Sequence, residues 1–474
     1  MSTASNSTVP SNLYTMKHQS TDISRRRFLR NLGIMAAGAA VGACSSASDS
    51  DDDAPRSMTL RRNPSTGDEV SVLGYGCMRL PTLGIANGTD DDTIDQEAVN
   101  RSVDLALEGG VNYFDTSPAY CKGNSEAAMG IALSRHPRDS YFIATKLSNF
   151  AESTWPSEES IAMFERSLEN LRTDYVDYLL LHAIGIGGME AYRHRYEENG
   201  ILDYLKEQKA AGRIRNLGFS YHGDIEVFDT MLQMMDRGEI HWDFVQIQHN
   251  YLDWLHAKDL SRDNTNSSYL YAELERRGIP AVVMEPLLGG RLASVPAPVM
   301  AKMKERRPDD SAAAWAFRFA ASQPGILTVL SGMTYIDHLR ENLDTYSPLE
   351  PVDAQEHDFL MACAQEILLN DNVPCTDCKY CMPCPYGVNI PGIFAHYNRC
   401  INQGNAPRDV ADPAYDRERR AFLFGYDRSV PRLRQADRCI SCGACVSHCP
   451  QSIPIPATLR KIATYAENLR QHKV

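Results

Sequence analysis

The sequence has little positive charge and no long apolar run near its amino terminus. Its 474 residues contain 48 Lys and Arg against 61 Asp and Glu, for a formal net charge of −13. An acidic chain is poorly suited to nucleic acid or to an anionic lipid surface, because both carry negative charge. The apolar run GIMAAGAAVGA is too short to span a bilayer. We therefore expect a folded body that meets a membrane only through a signal segment or a lipid anchor.

Proline is absent from the interior of eight strand-like runs, so none of them is excluded from a sheet. These runs lie at about 72–77, 112–116, 141–146, 175–181, 214–220, 243–249, 280–286 and 326–331. Helical patterns alternate with them at 96–109, 125–135, 158–171, 197–211, 224–237, 268–277, 310–322 and 335–344. Alternating strands and helices predict a parallel sheet with right-handed crossovers, and eight is the strand number of a (β/α)8 TIM barrel.

Polar side chains stand at the carboxyl ends of three of these runs. VNYFDTSPAY leads to Asp115 and Tyr120, YFIATK ends at Lys146, and DYVDYLLLH ends at His182. In a closed parallel barrel the strand ends share one face, so these four groups are expected to converge in one mouth. A free phenol has a pKa of about 10, and a neighbouring ammonium lowers it toward the range useful for proton exchange.

These segments are similar to those of the aldo/keto reductases, and the resemblance runs from about Met58 to Leu349. FDTSPAY, ATK, LLLH and the SE that follows the tyrosine carry it. It implies that Asp115 pairs with Lys146 and that Lys146 lowers the pKa of Tyr120. Tyr120 would protonate a carbonyl oxygen while a nicotinamide gives hydride to the carbon, and His182 would orient that carbonyl. The implied substrate is a small carbonyl compound or alcohol.

The same resemblance implies where a dinucleotide would bind. Ser220 and Gln246 would hold the nicotinamide carboxamide, Pro286, Leu287 and Gly289 would line the pyrophosphate, and Ser331, Gly332, Glu341 and Asn342 would close on the adenosine. A glycine-rich loop and a helix start have free N–H groups that suit an anion. Gly332 and His338 stand where the family usually has cations around a 2′-phosphate, so the choice between NADP and NAD stays open.

The last hundred residues are rich in cysteine. Two motifs ending in Cys-Pro hold eight cysteines, Cys375, Cys378, Cys381 and Cys384 in the first and Cys439, Cys442, Cys445 and Cys449 in the second. Three cysteines at this spacing bind one [4Fe–4S] cluster, and the cysteine before proline binds a second cluster. We therefore predict two [4Fe–4S] clusters, with Cys449 completing the first triplet and Cys384 the second.

Zinc is the alternative for such thiolate quartets, and the paired Cys-Pro endings favour iron and sulfur over it. Helical patterns between the two motifs make the region resemble a small α-helical ferredoxin-like domain. Disulfides are disfavoured, because the amino-terminal SRRRFLR resembles a twin-arginine export signal. That route would carry the folded protein with its thiolates already bound to metal.

The amino terminus resembles an export signal. SRRRFLR followed by GIMAAGAAVGA is similar to a twin-arginine signal, and VGAC is similar to a lipobox that would place a lipid on Cys44. Residues 45–57 are polar and acidic and read as a flexible linker. The predicted organisation is a signal at 1–44, the linker at 45–57, the barrel at 58–350 and the cluster domain at 351–474, at the cell envelope or in the periplasm.

Three functional hypotheses follow from this organisation. The first is an exported oxidoreductase whose barrel reduces a carbonyl or oxidises an alcohol, with clusters that exchange electrons with a redox partner protein. The second is an electron-transfer subunit with a non-catalytic barrel that docks such a partner. The third is that the clusters only stabilise the fold. Nicotinamide transfers an electron pair and clusters transfer single electrons, so a flavin is a further candidate cofactor.

Overall fold

The computed structural model describes residues 57–84 and 92–474. Eight parallel strands close into a barrel, which confirms the predicted fold class. Each strand pairs with the next along the chain, and the last strand pairs with the first. A two-stranded antiparallel hairpin precedes the barrel. The predicted signal and lipobox, and most of the linker, lie outside the described residues.

The strands match the predicted runs closely. The hairpin consists of β1 (Leu60–Arg62) and β2 (Glu69–Ser71). The barrel strands are β3 (Leu73–Gly76), β4 (Tyr113–Asp115), β5 (Phe142–Leu147), β6 (Val176–Ile184), β7 (Ile214–Tyr221), β8 (Phe244–Gln248), β9 (Ala281–Met284) and β10 (Ile326–Ser331). The strands are almost wholly buried because helices cover the outside and side chains fill the inside.

Helices cover the outside of the barrel and continue into the carboxyl-terminal region. They are α1 (Gln96–Glu108), α2 (Ser125–Leu133), α3 (Ser157–Leu171), α4 (Gly188–Tyr192), α5 (Ile201–Ala210), α6 (Ile225–Asp236), α7 (Asp253–Leu260), α8 (Ser267–Arg276), α9 (Ala297–Arg306), α10 (Ala312–Ala321), α11 (Ile336–Tyr346), α12 (Ala354–Leu368), α13 (Ile390–Asn402), α14 (Tyr415–Ser429) and α15 (Ile455–Arg470). Among the described residues, no helix is both long enough and apolar enough to cross a membrane.

The end of the barrel opposite the strand carboxyl ends is filled by aromatic rings and sealed by the hairpin. Tyr113, Tyr178 and Phe244 pack inside the barrel, and the ring centroids of Tyr178 lie 4.9 and 5.0 Å from those of the other two. Asn63, from the hairpin turn, donates a hydrogen bond of 2.9 Å to the buried Tyr178 hydroxyl. This end therefore contributes stability, and the opposite end remains for chemistry.

Helix α12 packs on the barrel side of the molecule. Its buried residues Leu360 and Ile367 share an apolar cluster with Leu292 and Trp315, which precede it in the chain. The cysteine-rich part that follows has an apolar core of its own, built from α13, α14 and α15 around residues such as Phe422. The helical character expected of this region is thus present, and it begins after α12.

Candidate active site and cluster sites

The structure brings the four predicted catalytic side chains together at the carboxyl ends of β4, β5 and β6. Asp115 is the last residue of β4, Lys146 lies in β5 and His182 in β6. Tyr120 begins the short 3₁₀ turn that follows β4. The Lys146 Nζ lies 4.8 Å from the centroid of the Tyr120 ring, and the Tyr120 and His182 centroids are 5.9 Å apart. The mouth predicted from the strand ends is therefore formed.

Asp115 and Lys146 form a buried ion pair. The Lys146 Nζ lies 2.5 Å from Asp115 Oδ1 and also donates to the Thr116 carbonyl oxygen at 2.8 Å. Their exposed fractions are 2% and 1%, so the pair is held away from water. Burial raises the pKa of Asp115 and lowers the pKa of Lys146, and the attraction between the two charges opposes both shifts.

Tyr120 is half-buried and faces this pair. Burial raises the pKa of Tyr120 well above its ordinary value, and the charges of Asp115 and Tyr380 add to the rise. This direction differs from the lowering expected from Lys146, because the ammonium lies over the ring and directs its hydrogen bonds to Asp115 and Thr116. The phenol therefore keeps its proton at neutral pH, as a proton donor must.

His182 is a neutral imidazole held by two serines. Its Nδ1 lies 2.5 Å from Ser148 Oγ and 3.3 Å from Ser117 Oγ, and the two hydroxyls are 2.8 Å apart. Burial and the Lys146 charge lower the pKa of His182 well below its ordinary value. If the serines donate to Nδ1, then Nε2 carries the proton and can donate to a substrate oxygen. Sequence reasoning missed both serines, although Ser148 closely follows the lysine segment.

The residues predicted to hold the nicotinamide are engaged within the protein. Ser220 Oγ is fully buried and accepts a hydrogen bond of 2.8 Å from the Ala183 N–H. Gln246 Nε2 donates to Asp115 Oδ2 at 3.3 Å and is 2% exposed. Gln246 thus hydrogen-bonds the carboxylate of the ion pair.

The positions predicted to close on the adenosine lie around the end of β10. Asn342 Nδ2 donates a hydrogen bond of 2.9 Å to Ser331 Oγ, and both residues are buried. Gly332 and Glu341 are exposed, and a Cβ at Gly332 would find its first neighbour at 3.9 Å. These four residues are therefore together, with open space beside Gly332.

The predicted pyrophosphate loop, Pro286 to Gly289, does not fit a dinucleotide. The Gly289 N–H donates to Glu285 Oε2 at 2.7 Å, so this N–H is already bonded to a carboxylate of the protein. A Cβ built on Gly289 would lie 2.2 Å from the Thr376 Cα, so the cysteine-rich segment packs directly on this glycine. An added pyrophosphate would meet both backbone and negative charge there.

The cysteines of the two motifs lie near one another. Burial raises the pKa of Cys378 and of Cys381, and the charge of Cys449 adds to both shifts. Burial also raises the pKa of Cys445, and the charge of Cys384 adds to that shift. None of the cysteines in the described ranges forms a disulfide.

The two motifs share a local backbone design. The Asp377 N–H lies 3.4 Å from Cys375 Sγ, and the Ser441 N–H lies 3.4 Å from Cys439 Sγ. Asp377 and Ser441 both have positive φ, at 52° and 61°. Such turns direct successive N–H groups toward one point, and N–H groups aimed at sulfur suit thiolates bound to iron.

A cavity of about 340 Å³ lies between the two cysteine motifs. Its lining includes Cys384, Cys439, Cys442 and Cys445, which are the four ligands predicted for the second cluster, and also Cys381 of the first motif. Within the described ranges, no three Cys, His, Asp or Glu side chains are arranged to hold a single metal ion. Several thiols around one cavity fit the chemistry of a 4Fe–4S domain.

Three buried residues in or after the strands β6 and β8 have structural roles. Tyr192 and Tyr251 are 2% and 0% exposed and pack in apolar clusters. His249 is fully buried with Nδ1 3.0 Å from Ser267 Oγ, and burial lowers its pKa to about 3.

Comparison with known proteins identifies both parts of the chain. The Aldo/keto reductase family matches residues 72–364, and a 4Fe-4S dicluster domain matches residues 374–453. The chain therefore belongs to the aldo/keto reductase family and is an oxidoreductase with a carboxyl-terminal 4Fe–4S domain. The family match extends through most of α12, which agrees with the packing of that helix against the barrel.

Individual relatives cover mainly the barrel. L-galactose dehydrogenase of Arabidopsis thaliana is 25% identical over 309 residues, which make up 62% of this chain and 89% of that protein. The uncharacterized oxidoreductase YqkF of Bacillus subtilis (strain 168) is 25% identical over 307 residues, 60% of this chain and 90% of that protein. The holo form of the aldo-keto reductase AKR11C1 from Bacillus halodurans is similar in fold, with a TM-score of 0.51 and 23% identity over 65% of this chain and 96% of that chain.

Proposed function

We propose that this protein is a carbonyl reductase whose Tyr120 site exchanges electrons with a redox partner protein through two [4Fe–4S] clusters. The observation that carries the proposal is the buried Lys146–Asp115 pair beneath a protonated Tyr120 and next to a neutral His182. Placement of two cysteine quartets in the same compact unit supports the electron-transfer part.

Each active-site group has one task in the proposed chemistry. Tyr120 donates its phenolic proton to the carbonyl oxygen, and the Lys146 ammonium stabilises the phenolate that remains. His182 donates a hydrogen bond from Nε2 to the same oxygen and so orients the substrate. Burial raises the pKa of Tyr120, so the phenol holds the proton that carbonyl reduction consumes.

The two cysteine quartets have different surroundings. Cys375 lies near Arg291, and Cys378 lies near Arg79 and Glu285, so the first quartet faces the barrel. Cys442 of the second quartet is exposed, and the adjacent Ile440 has 59% of its surface exposed. [4Fe–4S] clusters supply single-electron transfer when bound. This arrangement supports a partner protein that docks beside the second quartet.

We further propose export by the twin-arginine route to the periplasm or cell envelope, with a lipid on Cys44 as the anchor. The support is SRRRFLR, the apolar run and VGAC in the sequence. A folded protein with metal-bound thiolates suits this route. A flavin remains a candidate for converting between single electrons and electron pairs.

The test is Tyr120→Phe in anaerobically purified protein. Loss of the general acid is expected to lower carbonyl reduction about 10²- to 10⁴-fold, whichever reductant is supplied, and to leave the iron content unchanged. Tyr269→Phe is the matched control, because that hydroxyl lies on the outer helix α8 and bonds Asp229. Full activity in Tyr120→Phe would refute the assignment of this residue as proton donor.

A further inference from the structure

We propose that the cysteine-rich segment Cys375–Tyr380 takes the place of a dinucleotide in the barrel mouth. The barrel then works without a nicotinamide nucleotide, and its reducing equivalents come from the carboxyl-terminal domain. The proposal rests on the proposed function, because it names the source of electrons for the Tyr120 site.

The segment packs on the loop that was predicted to line a pyrophosphate. The Cα, carbonyl carbon and carbonyl oxygen of Thr376 would all lie within 2.3 Å of a Cβ on Gly289, so the two backbones are in contact. Gly289 has a φ of 65°, which a residue with a side chain adopts only with strain. The glycine thus serves close packing against Thr376.

Hydrogen bonds tie the carboxyl-terminal domain to the barrel at several points around the mouth. Arg79, just after β3, donates to the Thr376 carbonyl oxygen. Asn402 at the end of α13 donates to the Ser294 carbonyl oxygen, and Ser452 donates to the Asp263 carboxylate. Contacts from three separate parts of the domain fix its position over the barrel.

Charges around the loop favour the protein segment over a nucleotide. Glu285 accepts from the Gly289 N–H, and it lies close enough to Asp377 for that second carboxylate to raise its pKa. The nearby Arg79 donates a hydrogen bond to the Thr376 carbonyl oxygen. A pyrophosphate would therefore enter beside two carboxylates, and one guanidinium group near them is already bonded to the segment.

The same segment begins at the first quartet. Thr376 directly follows Cys375, and its backbone packs on Gly289 of the barrel. The first quartet is therefore held against the barrel, and electrons would reach the reacting carbon from that side without a diffusing carrier.

The electron count closes without hydride transfer. Reduction of a carbonyl breaks the C=O π bond and forms one O–H and one C–H bond, which takes two electrons and two protons. Tyr120 gives the proton for oxygen and solvent gives the proton for carbon. A small reduced redox protein of the ferredoxin or flavodoxin class would supply both electrons, and [4Fe–4S] clusters bound by the motif cysteines would pass them one at a time. Stepwise delivery suits a carbonyl conjugated to an aromatic ring or a second carbonyl, which delocalises an unpaired electron.

The first test measures nucleotide binding to the full-length, anaerobically purified holoprotein. In equilibrium dialysis with NADPH or NADH at concentrations up to millimolar, we expect no binding. In turnover assays with an aromatic ketone, we expect reduced methyl viologen to support a rate at least 100-fold above that with NADPH. Binding of either nucleotide, or an equal rate with NADPH, would overturn the proposal.

The second test uses two adjacent glycines with positive φ. Gly289→Ala should displace the Thr376 backbone and alter the electron paramagnetic resonance signal of the dithionite-reduced protein. Gly290→Ala is the matched control, because its φ is 97° and a Cβ there would have no neighbour within 4 Å. Arg79→Gln, which removes the bond to Thr376, should alter the same signal if Gly289→Ala does not fold. Unchanged signals in Gly289→Ala and Arg79→Gln would contradict the proposal.

These outcomes separate the inference from the proposed function. If no carbonyl compound is reduced with any donor, the proposed function fails, and dialysis and spectroscopy still decide whether the segment occupies the nucleotide groove. If Tyr120→Phe loses viologen-driven turnover while nucleotide binds tightly, the proposed function survives and this inference fails.

Discussion

Removal of the Lys146 ammonium should destabilise the barrel more than removal of any surface lysine. In Lys146→Met, Asp115 remains 2% exposed with no opposite charge at 2.5 Å, and only the weaker bond from Gln246 remains. Breaking a buried pair in this way lowers the free energy of unfolding by about 3–5 kcal/mol at neutral pH. Lys206→Met, which removes an exposed partner of Asp203, should cost only about 0–1 kcal/mol.

The difference in stability between Lys146→Met and wild type should depend on pH. Without Lys146, the folded-state pKa of Asp115 rises further above its unfolded value, since burial already raises it in the intact pair. A carboxyl group with a raised folded pKa costs nothing below its unfolded pKa, and its cost grows as pH rises from the unfolded value to the folded value. The gap between Lys146→Met and wild type should therefore widen between about pH 4 and pH 7.

Urea denaturation followed by circular dichroism, on samples matched for iron content, measures this gap. Asp115→Asn combined with Lys146→Met should recover part of the loss, because the neutral amide needs no counter-charge. Two results would refute the reasoning: a cost for Lys146→Met no larger than that for Lys206→Met, or a gap that narrows as pH rises.

Three further predictions concern packing, cluster ligation and the active-site histidine. Gly130→Ala places a Cβ 2.1 Å from a backbone oxygen of α3 and should lower the free energy of unfolding by about 1–3 kcal/mol in urea denaturation. Gly332→Ala is the control: its Cβ has its first neighbour at 3.9 Å, and its free energy of unfolding should stay within about 0.5 kcal/mol of wild type. Cys445→Ser should lose at least one cluster's share of iron and sulfide, and the buried non-motif Cys400→Ser should retain the full content. Ser148→Ala removes a hydrogen bond to the histidine ring and should lower kcat about 3- to 10-fold at unchanged iron content; an unchanged kcat would deny Ser148 its positioning role.

Much of the barrel and of the catalytic centre could be predicted because each strand and its functional residue lie in one short segment of the sequence. A short apolar run followed by a polar residue marks a barrel strand and its functional end, as at Asp115, Lys146 and His182. The cysteine motifs are local too, and their spacing carries the ligand chemistry.

What escaped prediction depends on contacts between distant parts of the chain. Nothing near Gly289 in sequence indicates that Thr376 will pack on it, and the glycine reads equally well as part of a nucleotide loop. The same holds for the direction of the Tyr120 pKa, which is set by burial and by the way the Lys146 hydrogen bonds point. Ser148 was missed because its role appears only when β5 and β6 lie side by side.

The predicted pairing of Cys384 with the second cysteine motif has a consequence for how the protein unfolds. Cys384 and Cys439 line one cavity although α13 and α14 lie between them in the chain, so a metal centre there would close those helices into a ring. Closing a loop of roughly 55 residues confers about 4 kcal/mol by restricting the unfolded chain. Oxidative loss of iron would remove that restraint from α13 and α14 and leave the barrel unaffected. Exposure to air would therefore unfold the carboxyl-terminal domain first.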